Sequence, residues 1–492
     1  MAKKIAIIGA GLGGLTAGNL LAKKGHQVTL FEAHTSPGGY TAGFRRRGYY
    51  FESGTLSFES SDTVFRAMKQ IGVADRIEFV RQPIALKSER MDGVCRSYED
   101  LKSLVYDAYP QDTVALDRYF AEMDRMVGAM MGLAKPKSVG AILLYPLRLL
   151  RFIRLYRKYD RVNVTDFTAR TFARGSDLFR FFKGMGYPDM SAAILPGAFL
   201  SFFDDYWTVK GGMQSWADVL TDQFKRLGGE LRLRSRVDQI RTKDGRAVGV
   251  VSGGEVFPAD VVISACDYKK TFLELLDDRS LVPAERLERI EKNAVSEGFF
   301  TVYLGLDMAV SELEKYLHVP HLSFDDEARD ADIHDAADEE YFTKASIMLY
   351  SPAMHDPSLA PEGKSSLMIQ AVSPLRWMDN WGGGDLKEYR RLKERVKKTL
   401  IAKAGKVVPG LADRIEFEDA ATPLTYERYT GNTDGATSAW SWNPANRFYK
   451  NGMGINIDTP VENLLIGSCW SAQIGGVPSA IMAALKCARR IG

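Results

Sequence analysis

The chain opens on a short apolar run at residues 5–8, breaks into glycines, and resumes with helical spacing over 15–24, where Leu15, Leu20 and Leu21 are apolar. Gly25 and His26 turn the chain, and 28–31 reads as a second buried strand that stops at Glu32. Residues 48–54 are extended. A helix is predicted over 215–227, after Lys210-Gly211-Gly212-Met213, and Gly228-Gly229 break it. Alternation over 230–237 continues to 241 as one strand, Gly245 turns, and short strands follow at 248–251, 255–257 and 260–264. Near the end, 462–467 reads as a strand, 468–473 as a loop and 479–490 as an amphipathic helix.

The glycines between the first strand and helix are Gly9, Gly11 and Gly14, in the spacing G-x-G-x-x-G, with Leu12 and Gly13 between them. Each has a physical use: Gly9 for the tight turn, Gly11 for close approach of a diphosphate to the backbone, Gly14 for helix–strand packing. The helix start offers free N–H groups and a positive dipole to that anion. Glu32, followed by Ala33, is placed to accept hydrogen bonds from a ribose, and it would repel a 2′-phosphate. Strand, helix, second strand and terminal acid together predict a dinucleotide site. A glycine-rich turn without a ligand is the alternative.

His34-Thr35-Ser36-Pro37-Gly38-Gly39 then supplies a glycine pair. This resembles the large group of flavoproteins in which such a pair runs beside the FAD diphosphate, and the resemblance implies FAD as cofactor. The first forty residues, 210–276 and the C-terminal run are, in order, similar to the superfamily of phytoene desaturases, carotenoid isomerases and retinol saturases. That resemblance implies that Val237 meets adenine through its backbone, that Ala265 closes the nucleotide lobe, and that Gly467-Ser468 lies by the ribityl-phosphate region. Gly475-Gly476-Val477, a glycine-led helix start, would face the flavin pyrimidine ring, where negative charge gathers on reduction. Ser53 and Gly54 complete the flavin-facing set. Two positions depart from the desaturase pattern. Tyr40 replaces the usual basic residue after the glycine pair, and Ser468 replaces an acid; the saturase and isomerase branch is nearer in this respect.

The implied fold is α/β: a discontinuous Rossmann-type FAD-binding domain (1–80, 206–276, 441–492), an interleaved α+β substrate domain (277–440) and a helical, membrane-facing lobe (81–205). Gly382-Gly383-Gly384 follows no strand and reads as a loop, so a separate NAD(P)H domain is not expected.

The length, 492 residues, fits about three domains, and 45% hydrophobic with 26% charged residues excludes a disordered chain. A net charge of +3 does not predict a nucleic-acid partner. Cys95, Cys266, Cys469 and Cys487 form no C-x-x-C, which points to a reducing, cytoplasmic setting. The longest apolar runs are about seven residues, such as 141–147, against about 20 for a membrane span.

Residues 135–161 carry eight basic side chains and one acid, Asp160. Arg148, Arg151, Arg154, Arg157 and Arg161 fall on one helical stripe among Leu, Phe and Ile, the composition of a helix lying on a membrane surface. The plainer reading is a packed helix with solvated arginines. Aromatic and aliphatic residues are dense from Phe179 to Trp207 and either line a tunnel or form core. The acidic run at 324–340 reads as a solvated loop; His318 and His321 flank a proline, so a metal site is not expected there. Trp377, Trp381, Trp440 and Trp442 either wall the site or pack in the core.

The resulting expectation is an FAD enzyme that desaturates, saturates or isomerises a C–C double bond of a carotenoid-like polyene or other long isoprenoid, peripheral on a membrane, with an unknown electron partner. No catalytic side chain is identified. The alternatives are an amine oxidase-like enzyme on a soluble substrate and a non-enzymatic FAD-bound scaffold.

Overall fold

A computed structural model describes residues 1–133, 139–185, 189–326, 331–450, 452 and 454–492. Three distant stretches of chain build one parallel sheet, in the order 464–466, 261–264, 4–8, 27–31, 230–232. Its central strands 4–8 and 261–264 are apolar on both faces because both are covered, whereas the edge strand 230–232 is Glu-Leu-Arg. Ile5 and Ile7 face the helices Leu12–Lys23, Met213–Arg226 and Val477–Ile491, while Ala6 and Ile8 pack with Val237, Ile240 and Val250 of an antiparallel meander. That meander is 237–243, 246–252 and 255–258.

The alternation over 230–241 predicts one strand, and the chain forms two. Arg234 has φ 53°, and the amides of Arg234 and Ser235 bond the carbonyls of His34 and Glu32. This detour lets 230–232 join the parallel sheet while 237–243 starts the meander. The first helix begins at Leu12 rather than 15, because Gly11 (φ −72°, ψ 177°) is its extended cap.

A second, seven-stranded mixed sheet has the order 415–421, 298–306, 365–373, 347–350, 321–324, 84–87, 92–95. Helix Leu386–Ala404 covers one face through Leu392, Val396 and Leu400. The acidic run is ion-paired to this helix: Asp326 with Lys403 and Lys406, Glu339 and Glu340 with Arg395. Its residues 327–330 lie outside the described ones.

A cluster of helices between 98 and 206 packs on Ile84 and Leu86. Of the aromatic stretch, Phe179, Phe182, Met190, Leu195, Phe199 and Phe203 are core, whereas Phe181, Met185, Ile194, Leu200, Phe202 and Tyr206 are partly buried against it. Tyr187 lies outside the described residues. The basic segment forms helix Val139–Tyr159, and 135–138 are not described. In its first half Leu143 (74%), Leu147 (63%) and Leu150 (62%) are exposed, with Ile142 and Leu144; in its second half Leu155 and Tyr159 join the lobe. No helix among the described residues is long and apolar enough to cross a membrane.

Candidate functional site

The glycine loop lies at the C-terminal edge of the parallel sheet, where open α/β folds bind ligands. Gly9 (φ 101°) turns the strand, and its amide bonds the Phe31 carbonyl. A Cβ on Gly13 would stand 2.2 Å from the Gly467 carbonyl oxygen, and one on Gly14 2.0 Å from that of Gly9. Gly11 differs: a Cβ there would meet nothing nearer than 3.9 Å. Two glycines are therefore needed for packing, and the third leaves open space above a helix start that has no side-chain cap. First-turn amides facing such a space suit a diphosphate.

The glycine pair crosses this loop. Gly38 bridges Gly11 and donates its amide to the Ala10 carbonyl, and Gly39 lies above the Gly11 Cα. Both carboxylate oxygens of Glu32 already accept backbone amides, Oε2 from Ala10 and Oε1 from His34, each at 2.8 Å. The bonds orient the carboxylate, and each oxygen keeps a lone pair for a ribose hydroxyl. Ala33 beside it is exposed. Val237 is buried at the start of the meander strand reached by the 234–235 detour, and Ala265 packs its methyl against Gly14.

At the other end, Ser53 bonds the Ala42 carbonyl through both its amide and its hydroxyl, and Gly54 admits the Tyr40 ring, which would stand 2.4 Å from a Cβ. Tyr40 stacks on Tyr426 and donates to the Gly435 carbonyl; burial, then Tyr426, raises its phenol. Ser468 donates to the Cys266 carbonyl at 3.0 Å. Cys469, pushed up to about 11 mainly by burial, receives the Gly476 amide. Gly475 is pinned under Ser438, whose carbonyl oxygen would lie 2.2 Å from a Cβ, and Gly476 (φ 102°) caps the helix that starts at Val477.

A cavity of about 740 Å³ runs from Glu32 and His34 past Gly39 to Ser53. Its far wall comes from the second sheet and its helices: Tyr303, Trp381, Tyr389, Tyr426 and Tyr429, with Lys393 and Arg428; Arg46 of the hairpin 43–52 adds a third cation, and Glu32, Asp385 and Asp419 are the carboxylates. Of this wall only Trp381 is marked in the sequence, as a residue that either walls the site or packs in the core; the tyrosines lie hundreds of residues from the glycine loop and carry no motif. The open space over Gly11 and the uncapped helix start fit the diphosphate of a dinucleotide. The four tryptophans divide: Trp377 and Trp440 are core, Trp381 reaches the cavity, and Trp442 packs on the helical lobe.

Glu52 is fully buried next to Ser53. Its carboxylate accepts the Met213 amide at the start of helix Met213–Arg226 and the Tyr50 hydroxyl, yet burial pushes it up to about 8. A carboxyl raised in the fold favours the protonated form. Its contribution is complete below about pH 4.5 and is lost as pH rises through about 8. Thermal melts at pH 5 and pH 9 should show a smaller alkaline loss for Glu52→Gln than for the wild type, by on the order of 1–3 kcal/mol. Equal losses would refute the assignment.

The histidines hold no metal geometry among the described residues. His318 faces Asp92, and His321, lowered to about 4 by burial and His355, meets the Gln82 amide.

The family model for flavin-containing amine oxidoreductases matches residues 12–492. Prolycopene isomerase 2 from an Oncidium hybrid is 27% identical, over 99% of this chain and 83% of its own. All-trans-retinol 13,14-reductase from Danio rerio is 22% identical, over 98% and 84%. Wild-type putrescine oxidase bound to putrescine shares the fold, with a TM-score of 0.67 at 17% identity over 100% of this chain and 99% of that one.

Proposed function

Because the chain belongs to the flavin-containing amine oxidoreductase family, and so is an FAD-dependent oxidoreductase, we propose that it acts on a C–C double bond of a carotenoid-like polyene or other long isoprenoid. The reaction would be desaturation, saturation or cis–trans isomerisation. The observation that carries this is the apolar lobe between 98 and 206, whose partly buried Phe202 and Tyr206 lead into Trp207, itself hydrogen-bonded to Phe58 just after Ser53 and Gly54, while Trp442, near the Ser438 that holds Gly475, packs against the lobe. The printed activities of the isomerase and reductase relatives support it.

When bound, FAD supplies a hydride acceptor or donor at N5. In this reading Gly9, Gly11 and Gly14, with the amides of Leu12 and Gly13, hold the diphosphate, and Gly38 and Gly39 flank it. Glu32 and Ala33 take the ribose; Val237 and Ala265 border the adenosine. Tyr40, Gly467 and Ser468 lie along the ribityl chain, and Ser53, Gly54, Gly475, Gly476 and Val477 face the ring. Segments 1–80, 206–276 and 441–492 form the cofactor domain, 277–440 the substrate domain and 81–205 the lobe. The lobe's aromatic side chains exclude water from the reacting bond. The exposed leucines of helix Val139–Tyr159 seat in a membrane surface while Arg148, Arg151, Arg154 and Arg157, which have no carboxylate partner among the described residues, meet lipid phosphates.

Anaerobic reduction followed by a polyene panel tests the substrate class. For a saturation the bleached flavin bands should recover when the polyene is added; for a desaturation the polyene should itself bleach the oxidised flavin under anaerobic conditions; for an isomerisation the polyene's geometry should change with no net change in the flavin bands. Bleaching by a soluble amine, with no response to any polyene, would overturn it.

A further inference from the structure

The loop that follows Gly54 carries a carboxyl that no motif marks. Phe58 exchanges two backbone hydrogen bonds with Trp207, at 2.7 and 2.9 Å. Ser60 is left-handed (φ 57°), and the next amide, Ser61, bonds Asp205. Glu59 is thereby held between the end of the apolar lobe and the Gly475-Gly476 turn, with Oε1 3.7 Å from where a Gly476 Cβ would stand. Other carboxylates in this part of the fold have structural work. Glu52 caps a helix, and Asp205 accepts from Ser61 and the Trp207 indole. The Glu59 carboxyl has no hydrogen-bond donor from another described residue and no cation.

We propose that Glu59 is the acid–base residue of the site, exchanging with the substrate the proton that accompanies hydride transfer. This rests on the reading given under Proposed function. In saturation the Oε–H bond breaks as a C–H bond forms at one carbon of the double bond. The vicinal carbon would take the hydride that bound, reduced FAD supplies, and Glu59 would be left as carboxylate, to be reprotonated by water. Desaturation runs the same exchange in reverse, with FAD reduced. Burial, with Asp205 adding to it, raises Glu59 to about 7, so both forms are populated near neutral pH. Asp205 faces Glu59 from the lobe; across the Gly476 turn lies Cys469, itself raised by burial.

The test compares the FAD-loaded full chain with its Glu59→Gln and Glu59→Asp variants. The bound flavin's midpoint potential, followed from pH 5.5 to 9, should bend near neutrality in the wild type, since charge on the flavin and on Glu59 oppose each other. The bend should vanish in Glu59→Gln and persist in Glu59→Asp. Single turnover with a polyene should slow about 10²–10⁴-fold in Glu59→Gln, with KM little changed and partial rescue in Glu59→Asp. An unchanged bend in Glu59→Gln, or wild-type turnover by it, overturns the assignment while leaving the polyene reading intact. A bend lost in Glu59→Gln without polyene turnover by any form would sink the polyene reading and this proton exchange with it, leaving only the coupling of Glu59 to the flavin.

Discussion

Replacing Gly14 by valine is expected to leave a protein that retains no FAD and melts far below the wild type. Its Cβ alone would stand 2.0 Å from the Gly9 carbonyl oxygen and 3.3 Å from the Ala265 methyl. The obstacles are backbone and a packed methyl, so the first helix must lift off the sheet, at a cost of at least about 3 kcal/mol. Gly11→Ala is the contrasting case. Its φ is an ordinary −72° and its surroundings are open. The fold should stay within about 0.5 kcal/mol of the wild type, while FAD affinity falls at least about tenfold because a methyl group enters the diphosphate's approach. Flavin absorbance after gel filtration, with melting curves for both variants, reads the two outcomes. Wild-type FAD retention by Gly14→Val would refute the packing argument, and wild-type affinity in Gly11→Ala would move the diphosphate elsewhere.

The triple substitution Leu143→Glu, Leu147→Glu, Leu150→Glu is expected to abolish sedimentation with anionic vesicles. Each leucine seated in an acyl boundary contributes about 1.5–3 kcal/mol, so losing three should weaken binding by more than about 10³-fold. The arginines add about 1 kcal/mol each near an anionic surface, a part that salt removes. Since these leucines are exposed in the folded chain, the melting temperature should hardly move. If the triple variant sediments as the wild type does, this helix is not the membrane contact.

The cofactor half of the site was readable because its requirements are local. A diphosphate demands glycines at fixed spacing, and a ribose demands an acid at the end of the next strand. Side-chain direction and distant neighbours are not local and leave no pattern in the chain. The place of Glu32 at the strand end follows from the pattern, but the amides of Ala10 and His34 that orient its carboxylate do not. The alternation of 230–241 gave no sign that Arg234 would turn left-handed and send two halves to different sheets. Glu59 and Tyr426 carry no motif and matter only through neighbours far away in the chain. The aromatic stretch divides by side-chain direction, Phe182 into the core and Phe202 partly buried against it, a split that composition does not carry.

The parallel sheet also sets an order of events in the life of the chain. Strand 4–8 pairs at once with 27–31, but its other neighbour is 261–264, which in turn waits for 464–466. The first helix, Leu12–Lys23, finishes packing only against the last, Val477–Ile491. On a ribosome adding about 5–20 residues per second, the glycine loop therefore exists for roughly half a minute or longer before its second wall is made. Throughout that time the apolar faces of an incomplete sheet are open to wrong partners, and the long sequence separations slow closure further. FAD is thus a late arrival: as a ligand of the finished fold, it stabilises the newly made chain by mass action only after the last helix has docked.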